Sequence, residues 1–133
     1  MQPSLCSHLP PRLQRSRQRG AKTPPGAIYV GRPTLRGNPF QVARFGHARS
    51  VILHRRWLWN ELPHPRLLAL GFNEGEAEAL RRLRLRLLHS LPALAGHPLQ
   101  CWCALTTPWC HAETLLTVAN TPAQLAKLVG HDL

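Results

Sequence analysis

The chain reads as a small α/β domain whose few, mostly parallel strands are flanked by helices. Three observations predict this. Short β-rich runs at 27–30 and 99–105 lie far apart, with helical periodicity between them, which is the spacing of a crossover and not of a hairpin. Helix signals also follow the second run. Finally, 133 residues with 44% apolar content suffice for one self-standing core.

Taken in order, residues 1–26 carry Arg12, Arg15, Arg17, Arg19 and Lys22, no acid, and the proline pairs Pro10-Pro11 and Pro24-Pro25. Such a stretch buries too little apolar surface to offset its ordering entropy, so a disordered basic arm is expected, with the domain proper at 27–133. Ala27-Ile-Tyr-Val30 reads as a buried strand ended by Gly31. Residues 31–40 form a loop rich in Gly, Pro and Asn. A helix is expected over 47–62, with Ala48, Val51, Ile52, Trp59 and Leu62 on one stripe and Pro63-His-Pro65 as its stop. Trp57 and Trp59 are expected to anchor it to the sheet. Leu67, Leu68 and Leu70 form a short apolar element of open type.

Asn73 with Glu76 three residues on is a capping-box start for a helix over 74–90. Leu80, Leu83 and Leu87 then face inward, Arg81, Arg82 and Arg86 face elsewhere, and Arg84 lies on the flank. In the strand over 99–105, Leu99, Cys101, Cys103 and Leu105 share one side and Trp102 takes the other, expected to be core. Ala112, Leu115, Leu116 and Ala119 mark the next helix, which Asn120 can end. Thr121, Pro122 and Gln124 open a last one that runs through Val129 and closes at Gly130.

The net charge is +11, from 17 Lys/Arg against 6 Asp/Glu. This balance either attracts polyanions, nucleic acid included, or reflects an arginine-rich composition alone. No apolar run approaches the roughly 20 residues of a membrane span, so no membrane partner is expected. Three of the four cysteines cluster at 101–110, at spacings ill-suited to bridging each other at i and i+2. Reduced thiols in the cytoplasm are the expectation.

Chemistry concentrates in two loops. In parallel sheets ligands collect beyond the carboxyl ends of the strands, and the loops at 31–40 and 104–110 both leave strands at that edge. They are expected to face one cleft. In the first loop, Gly31 permits close backbone approach, Arg32 and Arg36 can pair with phosphate, Asn38 can bond a sugar or base, and Gly37 is counted with them as ligand-binding. His47, Arg49 and His54 extend a basic lip. In the second, Trp109 can stack on a ring or staple the helix.

Cys110 falls at the cap or first turn of a helix, where unpaired N–H groups stabilise a thiolate, with His111 beside it in sequence. Cys110 and His111 are therefore the candidate catalytic pair. Cys101, Cys103, Cys110 and His111 also make a nominal zinc set, C-x-C-x6-C-H. Its spacing is unorthodox, so packing of Cys101 and Cys103 as small hydrophobes is favoured over metal. No cofactor is identified. The other histidines, His8, His64, His89, His97 and His131, read as ordinary.

Ile28-Tyr-Val-Gly-Arg-Pro33, Gly37-Asn-Pro-Phe40, Arg49 leading into a Trp-Leu helix, Cys101-Trp-Cys103 and Cys110-His111 together resemble a bacterial and phage family, domain of unknown function 4326. The likeness covers about 28–120. It departs from the family pattern at Ala112-Glu113, where Gly-Asp is usual, and in a slightly long loop between Cys103 and Cys110. The resemblance implies a small α/β domain, often phage-associated, with no assigned reaction. A nucleotide- or nucleoside-directed domain is the leading reading. A noncatalytic nucleic-acid module and a zinc-stabilised interaction domain stay open beside it, as does whether the protein is an enzyme.

Overall fold

The computed structural model describes residues 9–130. Three short parallel strands form one sheet: β1 (Arg12–Gln14), β2 (Ile28–Tyr29) and β3 (Leu99–Cys101), in the order β1-β3-β2. Leu99 is in register with Arg12 on one side and Ile28 on the other. Between β2 and β3 run α1 (Val42–Phe45), α2 (His47–Leu58), α3 (His64–Ala69), α4 (Glu74–Ser90) and a 3-10 turn at Leu91–Leu94. After β3 come α5 (His111–Ala119) and α6 (Pro122–Gly130). The expected α/β class with parallel strands is therefore the observed one.

Strand β3 is central and buried, with a half-buried partner strand on each side. Leu99 and Cys101 point into the main core and are almost fully covered. Leu115 and Leu116 of α5, Leu87 and Leu88 of α4, and Trp57 and Leu58 of α2 fill that core. Gln100 alternates to the opposite face, where Thr23 donates to its side-chain oxygen at 2.8 Å. Helix α4 starts as expected, with Asn73 and Glu76 each bonding the other's backbone amide.

Four expectations are corrected. The arm expected over 1–26 contains β1; its residues 1–8 lie outside the described residues. A three-residue strand with one leucine has no compositional signature, since its stability comes from ladder bonds to a distant segment. Helix α2 stops at Leu58, and its buried stripe is Ser50, Leu53, His54, Trp57 and Leu58. Two of those five positions are polar, which hid the stripe and rotated the expected face. Arg84, expected on a flank, is buried and donates to the carbonyls of Trp57 and Leu58 at 2.9 and 3.0 Å. It thereby serves carbonyls at the C-terminal end of α2, adding to the Asn60 amide that donates to Trp57. The strand expected over 99–105 ends at Cys101, and the chain bends at 102–103.

Candidate functional site

A cleft of about 360 Å³ opens beyond the carboxyl ends of β2 and β3. Gly31, Arg32 and Asn38 of the first loop line it together with Cys101, Trp102, Cys103 and His111. Tyr29, Val42, His47, Ser50 and Val51 complete the wall, which contains no carboxylate. The two motifs thus meet, although the contribution of the second comes from 101–103 and His111. Trp109, in the loop itself, is 37% exposed and stands outside the cleft.

The first loop is built by its own side chains. The Arg32–Pro33 peptide bond is cis. The Arg32 guanidinium donates through Nε and a terminal nitrogen to the Asn38 carbonyl, at 3.0 and 2.9 Å. Asn38 is buried: its Nδ2 donates to the Ser50 hydroxyl at 2.9 Å, and its Oδ1 accepts from the Phe40 amide at 2.9 Å. The Ser50 hydroxyl in turn donates to the Phe40 carbonyl. Asn38 therefore brackets the loop onto α2, and its polar atoms are used within the fold. Gly31 is required sterically, since a Cβ there would collide with the Tyr29 phenol, which donates to the Arg32 carbonyl at 2.7 Å. At Gly37 a Cβ would press on the Arg32 backbone.

His111 opens α5 and ties it to the loop. Its Nε2 lies 2.8 Å from the Val30 carbonyl and 3.1 Å from the Arg36 carbonyl. Both partners are acceptors, so Nε2 carries the proton and Nδ1 is the lone-pair nitrogen. The ring packs edge-to-face on His54 at 5.3 Å between centroids. His54, expected on a surface lip, is wholly buried, and neither of its ring nitrogens has a hydrogen-bond partner. Burial holds the pKa of His54 well below the ordinary 6.5, and the neighbouring His111 lowers it further. Burial also lowers that of His111, against the opposing pull of the Val30 and Arg36 carbonyls.

These shifts set a pH dependence. Both imidazoles are neutral when folded and gain protons more readily when unfolded, so their stabilisation is complete above about pH 6.5 and is lost as pH falls below it. Stability is expected to fall as pH drops below that point, with a limiting slope of about 1.4 kcal/mol per pH unit for a ring protonated only when unfolded. Urea denaturation between pH 7 and pH 5 checks this, with His54→Leu expected to make the slope shallower.

The remaining candidates fall elsewhere. Arg36 donates to the Ser90 carbonyl at 3.2 Å, outside the cleft. Arg49 lies over Phe45 at 5.6 Å and lines a separate groove with Arg56 and Arg66. Cys110 is the N-cap of α5 but is 1% exposed, and its sulfur faces Cys101 at 3.1 Å. The sulfurs of Cys101, Cys103 and Cys110 all lie within 4.8 Å of one another, and among the described residues no His nitrogen joins that group. Hydrogen bonds from the Cys103 and Cys110 thiols lower the pKa of Cys101, and the same sharing raises those of Cys103 and Cys110.

Two features escaped the sequence reading. Trp102, expected in the core, is 39% exposed at the cleft, with Arg15 and Arg17 over its ring at 5.1 and 4.6 Å. Arg15 also lies 4.5 Å from the Tyr29 ring centre. Arg12 runs under the second loop, donating to the carbonyls of Cys103, Ala104, Leu105 and Thr107 and pairing with Glu113 at 3.0 Å. Neither arginine role is visible without β1.

The family described as Domain of unknown function (DUF4326) matches residues 13–121. The chain belongs to this family. The match takes in β2, β3, α1 to α5 and all of β1 but its first residue, Arg12, and it holds every cleft residue. No curated protein and no solved structure gives a significant match to the chain.

Proposed function

We propose that this domain binds a nucleotide or nucleoside in the cleft at the carboxyl edge of β2 and β3. One observation carries the reading: the lining combines two aromatic side chains, Tyr29 and Trp102, with Arg32 and His47, and has no acid to repel phosphate. Aromatic faces stack on bases, and guanidinium groups pair with phosphate. The volume is within the range of small-ligand pockets. His111 supplies a lone-pair nitrogen at the inner wall, suited to accept from a sugar hydroxyl or a base N–H.

A thermal-shift panel tests this with phosphate, ribose, nucleosides and nucleoside monophosphates at millimolar concentration. The expected order is monophosphate over nucleoside over phosphate or ribose alone, with a rise of several degrees for the best ligand. Trp102→Ala, on an exposed ring, is expected to weaken that ligand about tenfold by removing a stacking face. A folded protein that responds to none of them contradicts the proposal.

A second reading, a noncatalytic nucleic-acid module, draws on Arg15 and Arg17 stacked over Trp102 at the cleft mouth. It predicts tighter binding of a single-stranded oligonucleotide than of any mononucleotide, falling steeply with salt and weakened by Arg17→Ala.

A further inference from the structure

We propose that Cys101, Cys103 and Cys110 form a three-thiolate zinc site, with Arg12 as the positioning residue that builds and charge-balances it. The site stands independently of what the cleft binds.

Three sulfurs from two separate segments converge within 4.8 Å of one another. Tetrahedral zinc at about 2.3 Å from each sulfur requires sulfur separations of about 3.8 Å, which side-chain adjustments of under an ångström deliver here. The sulfurs are already dressed as metal thiolates are. The Cys103 amide donates towards the Cys101 sulfur, and the Ala112 amide towards that of Cys110. Amide donors of this kind orient ligands and disperse thiolate charge. Zinc displaces the thiol protons to solvent, leaving three thiolates and one dication with a net charge of −1.

Arg12 explains why that charge is tolerable. Its side chain is only 6% exposed, and a buried guanidinium is costly beside neutral neighbours. Glu113, itself half exposed, is one counter-charge, and an anionic zinc–thiolate group beside Cys101 and Cys110 is a second. The same guanidinium holds four consecutive-region carbonyls, from Cys103 to Thr107, and so shapes the six-residue loop between the second and third ligands. The unorthodox C-x-C-x6-C spacing is workable because a side chain from β1 supports the loop. No fourth protein donor joins the cluster among the described residues, so the fourth position falls to water or another ligand. Cys101 and Cys103 also line the cleft, which puts the ion at its wall.

The test uses the full untagged chain with Cys6→Ser, because Cys6 lies outside the described residues. Protein made in zinc-supplemented medium and purified without added metal is expected to retain close to one zinc per chain. Cobalt exchange is expected to give thiolate-to-metal charge-transfer absorption and the visible bands of a tetrahedral ion. Arg12→Gln is expected to weaken zinc affinity at least about tenfold. Cys103→Ser, at the least buried ligand, is expected to lose retained zinc, with circular dichroism confirming its fold. The wild-type cobalt spectrum decides the matter should that variant unfold. Metal-free protein with three titratable thiols and no cobalt–thiolate absorption overturns the proposal. So does a Cys101–Cys110 disulfide in place of metal, or zinc retained undiminished in folded Cys103→Ser.

Discussion

Replacing Phe40 with alanine is expected to cost about 4 kcal/mol of folding stability. Phe40 ends the first loop and is fully buried. Its ring meets Phe45, Trp57 and Phe72 at 6.1, 5.8 and 5.9 Å, the last two edge-to-face. Truncation leaves a cavity with three rigid aromatic walls, which collapse poorly, and forfeits favourable ring pairs. The backbone of the same residue accepts from Ser50 and donates to Asn38, so the loss propagates to the loop that carries Gly31 and Arg32. Against a domain stability of roughly 5–15 kcal/mol, a loss of this size is a large share. Urea denaturation with an unchanged slope reads it directly. A cost under about 1 kcal/mol would place the ring outside the core.

His111→Ala is expected to cost about 3 kcal/mol and to detach the loop from α5. The bonds from Nε2 satisfy two buried-region carbonyls from different segments, Val30 at the end of β2 and Arg36 in the loop. Removing the donor leaves both acceptors unpaired, at about 1–3 kcal/mol for each that water does not reach. His111→Phe preserves ring volume and contact with His54 while removing the bonds. It is expected to retain most of the destabilisation, because the lost donor dominates over the lost volume. Amide hydrogen exchange should quicken at 31–38 in both variants. Protection unchanged there would show that the imidazole does not hold the loop.

Local signals in the sequence were sufficient where the structure is local. The Asn73–Glu76 box opens α4 because both partners sit within one turn. The stripe of α5 is visible because Ala112, Leu115, Leu116 and Ala119 are all apolar. The stripe of α2 was missed because Ser50 and His54 occupy buried positions. Those polar residues are there to bracket Asn38 and to pack against His111, so the pattern fails at the place where the helix meets the site. Strand β1 was missed for a different reason: its partner is some 87 residues away in β3, and Arg12 reads as a tail charge until that pairing exists.

The site was legible as a place more than as a set of roles. Gly31, Arg32, Asn38, Cys101, Cys103 and His111 do come together. Residue type alone assigned Asn38 to a ligand and Cys110 to the open cleft. Instead, Asn38 spends its polar atoms inside the fold, and Cys110 turns its sulfur to two other thiols. Trp102 was expected inside because strand alternation was carried past Cys101, where the chain bends.

In the proposed function the Gly31–Asn38 loop and the 101–111 segment form one ligand-binding cleft. Amide NMR of the isotope-labelled chain, titrated with a nucleoside monophosphate, tests it most directly. The expected result is that Gly31, Arg32, Asn38, Trp102, Cys103 and His111 shift together along one binding curve. No amide moving at millimolar ligand, or shifts gathered only in the groove of Arg49, Arg56 and Arg66, would contradict binding in this cleft.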